Sequence, residues 1–110
     1  MGIDVSVSSK NVLLWDPEYK PKDFKDYYIG HLSESFDSEQ QKIKDPRITQ
    51  FMYITIQSNT IFNSKQIQKL AQEIKIIKKL NILNKKDLNI IKNGIKQAIK
   101  KNLYLKFEYD

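Results

Sequence analysis

Cysteine is absent from the 110 residues, histidine, arginine and tryptophan occur once each, and glycine and proline three times each. Without cysteine there is no disulfide framework, no thiol nucleophile and no thiolate-bound zinc or iron-sulfur centre. Arg47 is one arginine among nineteen basic residues. Bidentate guanine contacts favour arginine, so sequence-specific DNA reading is disfavoured. No apolar run approaches the roughly 18 residues of a membrane span. Residues 1–10 place no basic segment ahead of an apolar one, so the expectation is no signal peptide, no membrane partner and a cytoplasmic protein. What is present is 40% apolar and 29% charged residues, enough for a single domain, 1–110, with one ordinary core.

The net charge of +6 conceals a division. Residues 1–55 carry seven Lys/Arg against nine Asp/Glu, and residues 56–110 carry twelve Lys against four acids. Sixteen Ile, eighteen Lys, eight Asn and six Tyr indicate an AT-rich gene rather than a function.

Alternation of Ile3, Val5 and Val7 with polar residues, then Val12 to Trp15 after a polar turn, predicts a strand, turn and strand. From Asp16 to Asp45 the pattern breaks, with short helices expected near Pro21 to Tyr28 and Ser38 to Lys44. Ile48 to Gln57 alternates again and predicts a central strand, with Ile48, Met52, Ile54 and Ile56 on one face. Two helices then begin with the same device. Asn63 caps the first, with Gln66 completing a capping box and Phe62 stapling to Ile67; Asn84 caps the second, with Asp87 in its first turn and Leu83 stapling to Leu88.

The first helix, from Ser64 to about Asn81, puts Ile67, Leu70, Ala71, Ile74, Ile77 and Leu80 on one stripe, with Lys65, Lys69, Glu73, Lys75 and Lys79 outside it. The second, from Lys85 to about Asn102, buries Leu88, Ile91, Ile95, Ala98 and Ile99, with Gly94 calling for close packing. The short link between them predicts an antiparallel hairpin. Leu103, Leu105, Phe107 and Tyr109 then form a terminal strand that pairs beside residues 48–57. Its start at Leu103 to Leu105 offers an exposed edge through which two chains would pair, leaving monomer and homodimer both open. The fold class is α+β: a mainly antiparallel sheet, a C-terminal two-helix hairpin packed on one face, and a terminal strand.

His31, the one histidine, would need an orienting acid, for which Glu34, Asp37 or Asp26 are the candidates. Alone it makes no triad, and a structural or interface role is the plainer reading. Paired acids at Asp23 and Asp26, or Asp37 and Glu39, match no metal-loop spacing. No catalytic, cofactor or metal residue is therefore assigned, and the chain is read as a non-enzyme. Met1 to Ser6 fits the permissive myristoylation pattern, against which stands the burial of Ile3 expected in a strand. Lys85, Lys92, Lys96 and Lys100 line one side of the second helix: a solvated face, or one suited to nucleic acid or an acidic protein. Both helices lack the aromatics that stack single-stranded bases.

The segment from Trp15 to Glu39 interleaves aromatics and acids: Trp15, Asp16, Glu18, Tyr19, Asp23, Phe24, Asp26, Tyr27, Glu34, Asp37 and Glu39. Such rings either complete a small core or act as anchors, with the acids steering a basic partner. A short cysteine-free α+β chain biased to Ile, Lys and Asn, and carrying the run WDPEYKPKDFKDYY, resembles the immunity proteins of bacterial polymorphic toxin systems, including contact-dependent growth inhibition. The resemblance is of type and covers the whole chain. It implies a cytoplasmic protein that binds and neutralises one cognate toxin domain, often a nuclease, without chemistry of its own. The residues leave a second reading open, a small basic nucleic-acid-binding or regulatory protein acting through its lysine-rich helices.

Overall fold

The computed structural model describes residues 2–9 and 25–109. β1 (Ile3–Ser8) pairs antiparallel with both β2 (Asp26–Leu32) and β4 (Tyr104–Tyr109), and β3 (Thr60–Phe62) pairs antiparallel with β4. The sheet order is β2-β1-β4-β3, so the first and last strands of the sequence hold the centre. Between β2 and β3 lie a short helix α1 (Phe36–Gln41) and a 3-10 turn at Gln50–Tyr53; α2 (Ser64–Leu80) and α3 (Lys85–Lys101) follow β3. The α+β class, the helical hairpin and the terminal strand are as the sequence predicts. No helix among the described residues is long and apolar enough to cross a membrane.

Strand alternation gives the sheet one apolar face, on which Val5, Val7, Leu105 and Phe107 are fully covered, and one polar face carrying Asp4, Ser6, His31, Lys106 and Glu108. α3 lies on the apolar face against β1, β2 and β4. Gly94 is what permits this approach: a Cβ there would sit 2.9 Å from Leu105 Cδ1 and 3.2 Å from Val5 Cγ1. α2 packs beside α3 and over the 3-10 turn. Edge-to-face ring pairs, Phe36 with Phe51 and Phe62 with Phe107, each at 5.6 Å, join the ends of the core.

Both helices start where their caps place them. Asn63 and Gln66 form the reciprocal capping box, and the Asn84 side chain accepts from the Asp87 backbone N–H. They stop at Asn81 and Asn102, each in the left-handed conformation (φ 55° and 54°) that asparagine tolerates at a helix end. Two residues of the expected stripes face outward instead, Leu80 at 38% and Ile99 at 56% exposure. Both lie in the final turns of their helices.

Three strand and helix expectations are corrected, and a fourth lies outside the described residues. Ile48 to Gln57 is not a strand. Its buried residues are Ile48, Phe51 and Ile54, a spacing of three that matches the 3-10 turn, while Met52, Tyr53 and Ile56 are exposed. The backbone there is satisfied from the side: Gln40 Nε2 donates to the carbonyls of Phe51 and Ile54, and Glu73 accepts from the N–H groups of Gln50 and Phe51. β4 consequently pairs with β3 and β1, and its middle is no edge. The expected strand at residues 12–15 lies outside the described residues, and both edges of β1 are already taken by β2 and β4. The expected helix near Pro21 to Tyr28 runs into residues 26–28, which belong to β2.

Candidate functional site

The turn from β2 into α1 is fixed by a carboxylate from another element. Asp87, fully buried in the first turn of α3, accepts from the Ser33 backbone N–H at 2.9 Å and from Ser33 Oγ at 2.6 Å. Asn84 Nδ2 donates to Asp87 Oδ2 at 2.8 Å and to Glu39 Oε1 at 2.9 Å, and the Asn84 backbone N–H also reaches Glu39 Oε1 at 3.0 Å. Two carboxylates at the positive end of α3 are thereby paired with donors, as their burial requires. Of the eleven candidate partner residues, Glu39 is thus used internally, to tie α1 to α3.

Held by this network, Ser33, Glu34, Phe36, Asp37 and Ser38 wall one side of a cleft of about 380 Å³. Ile3, Phe36, Ile56 and Tyr109 give it an apolar lining, and Glu34 and Asp37 stand on its wall with Ser38. Glu34 is exposed and Asp37 half-buried. Neither forms an ion pair or hydrogen bond among the described residues. An apolar recess with two free carboxylates accepts a long cationic side chain, stem against the hydrocarbon and head at the acids.

The other described candidates stand elsewhere. Asp26 and Tyr27 begin β2, about 20 Å along the strand from its Leu32 end. Tyr27 is capped by Lys101, whose Nζ lies 4.5 Å from the ring centroid, a cation–π contact. Trp15, Asp16, Glu18, Tyr19, Asp23 and Phe24 lie outside the described residues.

His31 has an acid partner that sequence reasoning missed. Its Nδ1 is 2.7 Å from Asp4 Oδ1, across the β1–β2 ladder where the two residues are directly opposed. Glu34, Asp37 and Asp26 do not hold it. The ring rests against the backbone of Gly2, where a Cβ would fall 2.6 Å from Nε2. Asp4 follows from a period-two reading only once β1 and β2 are paired, and no local pattern pairs residues so far apart. Among the described residues no hydroxyl joins the imidazole, so the pair has an orienter and a base position without a nucleophile. Nor do three or more metal-ligating groups converge among those residues.

No protein-family model matches the chain, and no significant match is found among curated proteins or solved structures.

Proposed function

We propose that the protein is a non-catalytic inhibitor of the immunity type, which acts in the cytoplasm by binding one cognate toxin domain and occluding its active site. The observation that carries this reading is the pair of unpaired carboxylates, Glu34 and Asp37, on an apolar-lined cleft in a chain whose net charge is positive. A surface that leaves acids unpaired beside exposed hydrocarbon suits a basic partner, and an enzyme that holds phosphodiesters must present cations. A nuclease is therefore the toxin class that fits. Ile56, exposed at the cleft, supplies the apolar contact that a buried anchor needs. The acidic and aromatic residues from Trp15 to Tyr27 extend the same chemistry along the sequence.

The test is capture of the partner from native lysate at low and then high salt, identification of the protein retained, and assay of its nuclease activity with added inhibitor. The expected result is one stoichiometric protein that survives high salt and is silenced by the wild-type chain. The double substitution Glu34→Lys/Asp37→Lys abolishes silencing while leaving the melting temperature nearly unchanged, because both side chains lack intramolecular partners among the described residues. Retention of nucleic acid with no protein, or full silencing by the double variant, overturns the proposal.

A further inference from the structure

We propose that the outer surface of α2 and α3 binds double-stranded nucleic acid through its phosphates, without sequence preference. This goes beyond the cleft reading and is independent of it, since no residue of α2 or α3 lines the cleft.

The two helices contain eleven lysines, and every one is exposed. They contain two acids, Glu73 and Asp87, and both are turned inward at 1% and 0% exposure. Each acid is consumed by hydrogen bonds, Glu73 by the 3-10 turn and Asp87 by Ser33 and by Asn84, the cap of its own helix. Ordinary solvated helices intersperse charges of both signs, which form i,i+4 pairs. Here no acid of either helix reaches the surface. Of the eleven lysines only Lys101 has an electrostatic partner among the described residues, the Tyr27 ring.

What lies between the lysines selects the polyanion. On α3 the stripe Lys85, Asn89, Lys92, Asn93, Lys96, Lys100 is exposed throughout, and on α2 the intervening exposed residues include Gln68 and Gln72. Lysines one helical turn apart are spaced about 6 Å along the axis. Carboxamides hydrogen-bond phosphate and sugar oxygens, completing the contacts that position a protein on a duplex. A lipid surface would instead require outward apolar residues. The apolar residues of these helices are committed to the core, with Leu80 and Ile99 as the large exposed exceptions.

Two absences set the mode. Neither helix carries an aromatic ring on which single-stranded bases would stack, so duplex is favoured over single strand. The one arginine is Arg47, outside the helices and bound to Asp45 at 2.6 Å, so bidentate guanine reading is not available to this surface.

The experiment is fluorescence anisotropy of the full chain with labelled mixed-sequence duplex DNA, duplex RNA and single strands across a salt series. Expected are a duplex preference and a linear fall of log affinity with log salt. The variant Lys92→Gln/Lys96→Gln/Lys100→Gln should weaken duplex binding roughly tenfold or more near 0.15 M salt and reduce the slope by about 2 to 3. Lys65→Gln/Lys69→Gln/Lys75→Gln on α2 should act in the same direction, and gives a second reading should the first variant fail to fold. Lys25→Gln/Lys42→Gln/Lys44→Gln removes the same charge outside the two helices and should leave the slope unchanged. An equal effect of this control overturns the proposal, as does preference for single strands. Lysine-dependent capture by phosphatidylglycerol vesicles without duplex binding overturns it in favour of a membrane surface.

Discussion

Phe51 donates its backbone N–H to Glu73 Oε1 at 2.9 Å inside the protein, while Oε2 of the same carboxylate takes the Gln50 N–H at 3.0 Å and the Thr49 hydroxyl at 3.1 Å. One side chain from the middle of α2 thus supplies the acceptors that begin the 3-10 turn. Glu73→Ala should leave those donors buried and unpaired, at a cost of about 3 kcal/mol or more; Glu73→Gln, which keeps one oxygen, should cost less. Urea denaturation measures both. A loss within about 0.5 kcal/mol, the range of an indifferent surface substitution, would show that water replaces the carboxylate.

That contact also explains where sequence reading stops. α2 and α3 are legible because their determinants are local: Asn63 with Gln66, Asn84 with Asp87, and an apolar stripe at helical spacing. Residues 48–57 are not legible, because an alternating apolar pattern is shared by a strand and by this segment. What decides between them is Gln40 and Glu73, which reach in from other elements. Glu73 is expected among the outward lysines of α2, yet it is buried at 1% exposure, and its place three residues beyond Leu70 and four before Ile77 is the trace of this in the sequence. The cleft is legible only as chemistry: Glu34 and Asp37 stand in the acidic and aromatic segment of the sequence, but the lining from Ile3, Ile56 and Tyr109 depends on a sheet whose central strands come from opposite ends of the sequence. Asp4 beside His31 is hidden for the same reason.

The two asparagine caps are chemically alike but unequally loaded. Asn63 is exposed and serves its own helix, whereas Asn84 also donates to Glu39 and Asp87 and joins three elements. Asn63→Ala should cost about 1 kcal/mol. Asn84→Ala should cost about 2 to 3 kcal/mol, since it also strips donors from two buried or half-buried carboxylates. Equal denaturation midpoints for the two variants would mean that the β2–α1 junction holds α3 without Asn84.

Glycine within a helix is ordinarily improved by alanine by about 1 kcal/mol. Gly94→Ala should do the reverse. The added methyl meets Leu105 Cδ1 and Val5 Cγ1, both on fully buried side chains of the central strands, and α3 must shift outward to admit it. Overpacking of this kind costs about 1 to 3 kcal/mol. A rise in melting temperature would show that α3 moves off the sheet freely, and that glycine at 94 is not required by the packing.

Acid titration offers a check on the loop after α1. Arg47 donates from Nη2 to Asp45 Oδ2 at 2.6 Å and from Nε to both carboxylate oxygens at 3.0 and 3.2 Å, and its backbone N–H adds a bond to Oδ1 at 2.9 Å. These side-chain bonds first, then the backbone bond, hold the Asp45 carboxyl down from 3.8 to about 2. Because the folded value lies below the unfolded one, the pair's contribution to stability is fully present above about 3.8 and is lost as the pH falls toward about 2. The pair is solvated, so that contribution is small, and the sensitive observable is the titration itself. Arg47→Ala should return the Asp45 carboxyl resonance toward an ordinary midpoint in an NMR titration. Arg47→Lys, which lacks the planar fork, should fall between. An Asp45 midpoint identical in all three proteins would mean that the fork does not persist in solution.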